Sequence, residues 1–391
     1  MEEVSRVVVR VRVEPALLQW AADRAGWSVA TIESRAPRFH EWVRDEVRPT
    51  LKQLESFANA THTPFGLLFL PEPPEEPIPI PDMRTLGNRR ISRPSVDLLD
   101  TIYSCQSRQE WYREYAKTQG YPPVSFAGEV TTSSDPIGVA AKIRQILHFG
   151  LPDRRAFNSG EDAQRKLIDK IEGAGVLVMV SGIVGSDTHR KLNAEEFRGF
   201  ALVDPVAPLI FVNGADTKAA QLFTMVHEFA HVWLGESALS DAAMARPSDH
   251  DEELWCNQVA AEVLVPLAAI RSDHRGVLNQ TELDRLARLY RVSTLVVLKR
   301  LHDAGFLSWG EYQERYAAEQ ARIMAILTAK KAEGGGGNYY NTQPLRLSRQ
   351  FARAVIADTI EGKTPYRDAY QLLGTKKHQT FQNLAAEIGV A

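Results

Sequence analysis

The segment His227-Glu228-Phe229-Ala230-His231 has the residue types and the spacing of a catalytic metal site. Residues four apart lie one turn apart on the same face of an α-helix, so two imidazoles can bind one metal ion together. The glutamate between them can reach a water molecule at that ion. This HExxH pattern predicts a Zn²⁺ site with His227 and His231 as ligands and Glu228 as the general base.

A catalytic zinc site also needs a third protein ligand and an open fourth position. The extended motif that adds a third histidine requires glycine at position 234 and histidine at position 237, where this chain has Leu234 and Ser237. A carboxylate from a following helix is the other solution. We predict that Glu253 is this ligand, because it lies at the end of an otherwise apolar helical stripe. Its rivals are Asp249, His250, Asp251 and Glu252.

A structural alternative exists for the two histidines, namely a pair of core histidines on a buried helix. The glutamate between them argues against it, since a carboxylate on an apolar helix is costly to bury unless a metal or a partner compensates. Hydrolysis at such a site also needs a hydrogen-bond donor that stabilises the negatively charged oxygen of the tetrahedral intermediate. The candidates are Arg198, His250, Tyr339 and Tyr340.

The elements that must position these residues are short strands followed by helices. Runs rich in β-formers at 175–181, 200–203 and 209–213 lead directly into the HExxH helix. A second helix is expected from about Ser248 to Val265, where a proline ends it.

The strand immediately before the HExxH helix is a candidate substrate-binding element. An exposed strand edge can bind an extended peptide by adding it to the sheet. We therefore expect Leu209, Phe211 and Asn213 to contact substrate.

The chain is long enough for several domains, and its composition changes suggest their limits. Residues 1–70 contain a short strand at Val7–Val13 and five short helical patterns, and residues 71–92 form a proline-rich linker. We expect the metallopeptidase domain at residues 93–310. Residues 311–391 are expected to form a helical C-terminal region with a glycine-rich break. The fold class expected is α+β and mainly helical, with a small mixed sheet. Residues 283–301 have helix-turn-helix spacing, and a helical pair packed on the catalytic domain is the favoured interpretation.

Residues 1–70 resemble Cro/repressor-like helix-turn-helix domains, most clearly in Trp42, Glu46 and the segment Arg48-Pro49-Thr50-Leu51. The stretch that would enter the major groove is shorter than usual in such domains. The segment also carries nine Lys and Arg residues against nine Asp and Glu residues, so it lacks the charge on which DNA affinity depends. A protein-contact or regulatory role is therefore favoured over DNA binding.

The whole-chain composition excludes several classes of protein. The formal charge of -3 argues against a surface that coats nucleic acid or anionic membranes. The two cysteines, Cys105 and Cys256, form neither a CxxC pair nor a disulfide framework. A secretory signal and a membrane-spanning run are both absent from the pattern, so a cytoplasmic protein is expected.

The HExxH segment and the stretch Glu253-x-x-x-Asn257-x-x-Ala-Ala-Glu-x-Leu-x-Pro266 together resemble the ImmA/IrrE family of metallo-endopeptidases. The likeness extends to the segment Phe197-Arg-Gly-Phe200, to the repressor-like module and, more weakly, to the C-terminal region. The resemblance implies a zinc-dependent protease that acts on regulatory proteins such as repressors, in mobile-element, stress-response or toxin-antitoxin settings. It implies the same ligands and the same base as the motif.

The function expected is therefore zinc-dependent cleavage of a regulatory protein, with a repressor, antitoxin or toxin partner as substrate. The main alternative is a DNA-binding regulator or antitoxin whose metal site is regulatory or structural. A deformylase or small-amide amidase is a third option, but it usually needs a cysteine ligand and Cys105 is far from the motif. A partner-binding protein that has lost catalysis is a fourth.

Overall fold

The computed structural model of the chain describes residues 9–84, 94–240, 250–332 and 339–390, without the side chains of 155, 327–332 and 339–342. The chain divides into two compact units. The first comprises Met1–Pro79 and Ile91–Asp100, and the second comprises Ile80–Arg90 and Thr101–Ala391.

The α-helices of the described residues are α1 (Pro15–Arg24), α2 (Val29–Arg35), α3 (Phe39–Val43), α4 (Leu51–Ala60), α5 (Val96–Thr118), α6 (Pro136–Ile146), α7 (Leu151–Arg155), α8 (Gly160–Gly173), α9 (Lys218–Leu234), α10 (Asp251–Leu264), α11 (Leu267–Asp273), α12 (Gln280–Tyr290), α13 (Thr294–Asp303), α14 (Trp309–Ala332), α15 (Tyr339–Leu347), α16 (Arg349–Ile360), α17 (Tyr366–Leu372) and α18 (His378–Ile388). The strands are β1 (Leu177–Ser181), β2 (Gly199–Leu202), β3 (Leu209–Asn213) and β4 (Ala238–Ser240). The predicted class, mainly helical with a small mixed sheet, is confirmed.

The first unit contains the five short helices that the sequence predicts, α1 to α4 and a 3₁₀ helix at Phe65–Phe69. Thr50 starts α4 with a capping box, in which its hydroxyl accepts from the Gln53 amide and the Gln53 side chain accepts from the Thr50 amide. Buried aromatic residues fill the space between the helices, among them Phe39, Trp42 and Phe57. The strand predicted at Val7–Val13 is wrong over residues 9–13, where Arg10 makes only an isolated bridge to Thr50. The residues before position 9 lie outside the described ranges.

The sheet of the second unit has the order β1-β3-β2-β4. Strand β3 is parallel to β1 and antiparallel to β2, so both of its edges are hydrogen-bonded. The prediction that Leu209, Phe211 and Asn213 bind substrate along this strand is therefore wrong. All three are buried, and the Asn213 side chain is bound within the chain by donating to the Phe197 carbonyl and accepting from the Ala215 amide.

The outer edge of β4 pairs with an upstream segment of the same unit. The Leu239 amide donates to the Pro81 carbonyl at 2.9 Å, and the Met83 amide donates to the Leu239 carbonyl at 3.0 Å. Asp82 lies opposite Leu239 in a parallel bridge. Arg84 fixes this segment by an ion pair to Asp82 at 2.7 Å and by donating to the Glu196 carbonyl. We call residues 81–84 the edge segment.

Helix α9 carries the HExxH pattern and is buried from Gln221 to its last residue, Leu234. Thr217 caps its start by accepting from the Ala220 amide, and Gly235 ends it in the left-handed conformation at φ 79°. The helix packs on β2 and β3 on one side and on α10 on another. Helix α9 therefore needs apolar residues all round, which its sequence supplies.

Helix α10 begins at Asp251 with His250 at its N-cap, whereas the start predicted at Ser248 lies outside the described residues. Its end at Leu264 agrees with the predicted stop before Pro266.

Three arginines bind the carbonyls that the end of α10 leaves unpaired. Arg144 donates to Glu262, Arg154 donates to Val263 and Leu264, and Arg300 donates to Val265. Arg154 is fully buried and also donates to the carbonyl of Tyr290, in α12. Cationic side chains at a helix C-terminus donate hydrogen bonds to the unpaired carbonyls and interact favourably with the negative end of the helix dipole. These contacts fix the helix that carries Glu253.

Helices α12 and α13 confirm the expected helical pair, and their buried leucines join the core that contains α9 and α10.

The C-terminal helices are joined to α8 through the side chain of Glu172, which is buried. Its carboxylate accepts from the Ser348 hydroxyl and from the amides of Arg349 and Gln350, at the start of α16.

Within the described part of the chain, no single helix is both long and apolar enough to cross a membrane. Helices α10 and α11, which are bent by 47° at the break between them, reach the length and composition of a membrane span only when they are taken together.

Replacing Arg154 by methionine tests the arginine contacts at the end of α10. The change leaves buried carbonyls without donors, so we expect R154M to lower the free energy of unfolding by about 2–4 kcal/mol. Chemical denaturation measures the effect. The control is R165M, because the Arg165 side chain is 68% exposed and its ion pair is weak. Equal stability of the two variants would contradict the role of Arg154.

Replacing Glu172 by glutamine tests how the burial of this carboxyl group affects the pH dependence of stability. Burial raises the pKa of Glu172 to about 7, although its hydrogen bonds oppose the shift. A carboxyl with a raised pKa in the folded state contributes stability below its unfolded pKa and loses it as the pH rises through the folded pKa. The unfolding free energy of the wild type relative to E172Q should therefore fall by roughly 2–3 kcal/mol between pH 5 and pH 8.

Thermal or chemical unfolding of both proteins across this pH range gives the measurement. The control is E361Q, which makes the same substitution at a glutamate whose side chain is 57% exposed. A difference between wild type and E172Q that is flat from pH 5 to pH 8 would show that burial does not act on this carboxyl.

Candidate metal centre

Two histidines and one glutamate direct their ligand atoms to a single point. The Nε2 atoms of His227 and His231 are 3.2 Å apart. Glu253 Oε2 lies 3.2 Å from His227 Nε2, and Glu253 Oε1 lies 3.1 Å from His231 Nε2. In a search of the described ranges for His, Cys, Asp and Glu side chains close enough to hold an ion, these three residues form such a group.

Local structure brings the three together. His227 and His231 are one turn apart on α9, and Glu253 is in the first turn of the helix packed against it. Both histidines are fully buried and Glu253 is 3% exposed. The site thus lies within the protein core, where ligands keep one geometry.

The arrangement fits a divalent cation of the zinc type. Two imidazole nitrogens that face each other at 3.2 Å repel each other when both present lone pairs, so a shared cation stabilises the pair. In a tetrahedral zinc site with bonds of 2.0–2.1 Å, ligand atoms lie about 3.3 Å apart. The nitrogen and carboxylate donors are also those that zinc prefers. The Nδ1 atoms of both rings are buried, with no hydrogen-bond partner among the residues described.

The electrostatics of the ligands favour metal binding at neutral pH. Burial lowers the pKa of His231, so its imidazole stays neutral and can donate a lone pair. Burial alone would raise the pKa of Glu253, but the two imidazoles outweigh it and hold that pKa well below its usual range. Glu253 is therefore an ionised ligand at neutral pH.

Glu228 lies beside this group and is also fully buried. Burial, reinforced by the charge of Glu253, raises the pKa of Glu228 well above its usual value. A cation among these groups would lower that pKa again, because it stabilises negative charge. Its Oε1 atom has no hydrogen-bond partner within the described part of the protein. A buried carboxylate with an unused oxygen suits a group that accepts a proton.

Gly199 forms the wall behind Glu228, a role that the sequence alone did not reveal. A Cβ at this position would lie 2.8 Å from Glu228 Oε1 and 2.6 Å from Thr224 Cγ2. Only glycine leaves room for the base against β2. The clue in the sequence is a glycine within a strand, which often marks a close approach. Ser240 also touches the group, and nothing in its sequence context distinguishes it from other serines.

Of the rival ligand candidates, Asp249 lies outside the described residues. His250 is the N-cap of α10 and Asp251 and Glu252 follow it in the first turn, and none of these three belongs to the ligand group. Cys105 is buried 3.9 Å from the Met179 sulfur, where burial raises its pKa to about 12.

Among the candidates for the oxyanion donor, His250 is the N-cap of α10. Arg198 lies 3.4 Å from Asp216 in an ion pair. The side chains of Tyr339 and Tyr340 are outside the described set.

Comparison with known families places this geometry in context. The IrrE N-terminal-like domain model, Peptidase_M78, matches residues 171–302, and a domain of unknown function, DUF8813, matches residues 347–387. Comparisons with curated proteins and with solved structures gave no match.

The matched segment 171–302 contains the whole sheet, helices α9 and α10, and the three candidate ligands with Glu228. The match and the arrangement of the side chains support an IrrE N-terminal-like peptidase domain at residues 171–302, the ImmA/IrrE family to which the sequence resemblance pointed.

Proposed function

We propose that the chain is a zinc-dependent endopeptidase. The observation that carries this proposal is the convergence of His227, His231 and Glu253 at 3.1–3.2 Å beside a buried glutamate. A structural zinc site closes its coordination with four protein ligands, whereas a catalytic site uses three. Three strong ligands together with an adjacent proton acceptor favour the catalytic type.

The residues of the site divide the work of amide hydrolysis among them. Bound Zn²⁺ would act as a Lewis acid and make water a stronger nucleophile. The two histidines and Glu253 would hold the ion in one place. Glu228 accepts a proton from the attacking water and then delivers it to the leaving amine. Burial of all four side chains excludes bulk water and strengthens these interactions.

We assign this activity to a peptidase domain of residues 93–310, which includes the family match. The module 1–70, the linker 71–92 and the region 311–391 would serve substrate choice or regulation. The substrate proposed from the family resemblance is a regulatory protein: a repressor, an antitoxin or a toxin partner. The balanced charge of residues 1–70 supports a protein contact rather than DNA binding.

Replacing Glu228 by glutamine separates metal binding from catalysis. E228Q keeps all three ligands, so it should bind one zinc ion per chain, measured by elemental analysis. It cannot accept a proton, so cleavage should fall at least about 100-fold. Proteins captured by E228Q serve as substrates for the wild type, and the cleavage products are identified by mass spectrometry.

The control for this experiment is E252Q, which changes a neighbouring glutamate that lies outside the ligand group. It should cleave at the wild-type rate. Cleavage by zinc-loaded E228Q at that same rate would eliminate Glu228 as the general base. Specific DNA binding that survives in E228Q, without cleavage by the wild type, would favour the regulator instead.

Replacing Glu253 by glutamine tests the third ligand. An amide is a much weaker zinc ligand than a carboxylate, and E253Q also leaves the imidazoles without their negative partner. We expect zinc affinity to fall at least about 100-fold. Competition with a chromophoric chelator measures the affinity, with E252Q as the matched control. An unchanged affinity in E253Q would assign the third ligand elsewhere.

A further inference from the structure

Ser240, the last residue of β4, makes close contacts with the candidate metal centre. Its Oγ atom lies 3.1 Å from Glu253 Oε1, 3.4 Å from His231 Nε2 and 3.4 Å from Glu228 Oε2. The residue is completely buried. One hydroxyl thus touches a ligand carboxylate, a ligand imidazole and the proposed base.

The backbone around Ser240 is held from two sides. On the inner side, Ser240 pairs in register with Gly199, and its carbonyl accepts from the Arg198 amide at 3.3 Å. On the outer side, the preceding residue Leu239 is bonded to the edge segment. The position of the hydroxyl is therefore set by the sheet, and only rotation about one side-chain bond is left.

The register also explains which groups meet here. Gly199 and Ser240 are opposite each other, and Gly199 lies against Glu228. The paired ends of β2 and β4 consequently form one surface that faces both carboxylates. Gly199 leaves space for the base, whereas Ser240 contributes a hydrogen-bond donor.

A hydroxyl has a clear task between two buried carboxylates. It has one proton to donate, and Glu253 Oε1 is its nearest acceptor in this group. This bond fixes the rotation of the carboxylate, so that Oε1 faces His231 and Oε2 faces His227. Carboxylates that bind metals are commonly held by such an outer hydrogen bond.

We propose that Ser240 is a positioning residue of the metal centre, whose hydroxyl holds the Glu253 carboxylate in its metal-binding orientation and keeps it apart from Glu228. The inference rests on the proposed function, because it assumes that the three ligands bind a metal. It adds a fifth residue to the site.

The test compares S240A with wild type by metal binding rather than by turnover. Loss of an outer hydrogen bond typically costs 10–100-fold in affinity, so S240A should bind Zn²⁺ about tenfold more weakly in a chelator competition. The visible spectrum of the Co²⁺-loaded protein should also change, since the ligand carboxylate is less constrained. Unfolding of the metal-free variant, followed in parallel, shows that the fold is kept.

The matched control is S237A. The Ser237 hydroxyl accepts from the Val203 amide at 2.8 Å and lies outside the ligand group, so S237A should keep the wild-type affinity and spectrum. A second variant, S240T, keeps the hydroxyl and should therefore keep the wild-type zinc affinity and Co²⁺ spectrum.

The outcomes separate the inference from the function on which it rests. A wild type that binds zinc, together with an S240A that binds it equally well and keeps the wild-type Co²⁺ spectrum, overturns the role of Ser240 alone. A wild type that binds neither metal overturns both. If S240A does not fold, S240T decides: wild-type zinc affinity supports the proposal, and a folded S240T that binds zinc tenfold more weakly overturns it.

Discussion

Two imidazoles and two carboxylates cannot share a dry interior unless something compensates their polarity, and this constraint shapes the peptidase domain. His227, His231 and Glu228 are fully buried, and Glu253 nearly so. The interior must supply an ion or hydrogen bonds at this one place and apolar packing everywhere else. Helix α9 meets both demands, because its remaining surface is packed against β2, β3 and α10.

Glu253 reaches the histidines from a separate helix, so the site depends on how α10 is held. The far end of α10 is bound by side chains from three different helices, through Arg144, Arg154 and Arg300. Its near end faces β4 through the contact between Glu253 and Ser240. Residues scattered along more than 150 positions of sequence thus determine where one ligand lies.

The parts of this structure that could be predicted from sequence are those with a local cause. The histidine spacing is a property of one helix turn, and the five helices of the first unit follow from periodicity and capping residues such as Thr50. The substrate role of β3 failed because strand order is a long-range property: a sequence shows that a strand exists, not which strands flank it. Gly199 and Ser240 were missed for the same reason, since their contacts with Glu228 arise from the register between β2 and β4.

The edge segment has a consequence for access to the sheet. Both main-chain groups of Leu239 on the outer side of β4 are already bonded, to Pro81 and Met83. A peptide that added a strand here would compete with a segment tethered in the same chain, whose effective concentration is roughly millimolar. A free peptide would rarely win that competition in dilute solution. A target that was also anchored elsewhere on the protein would overcome it, so avidity rather than the affinity of the cleaved sequence would govern strand exchange at this edge.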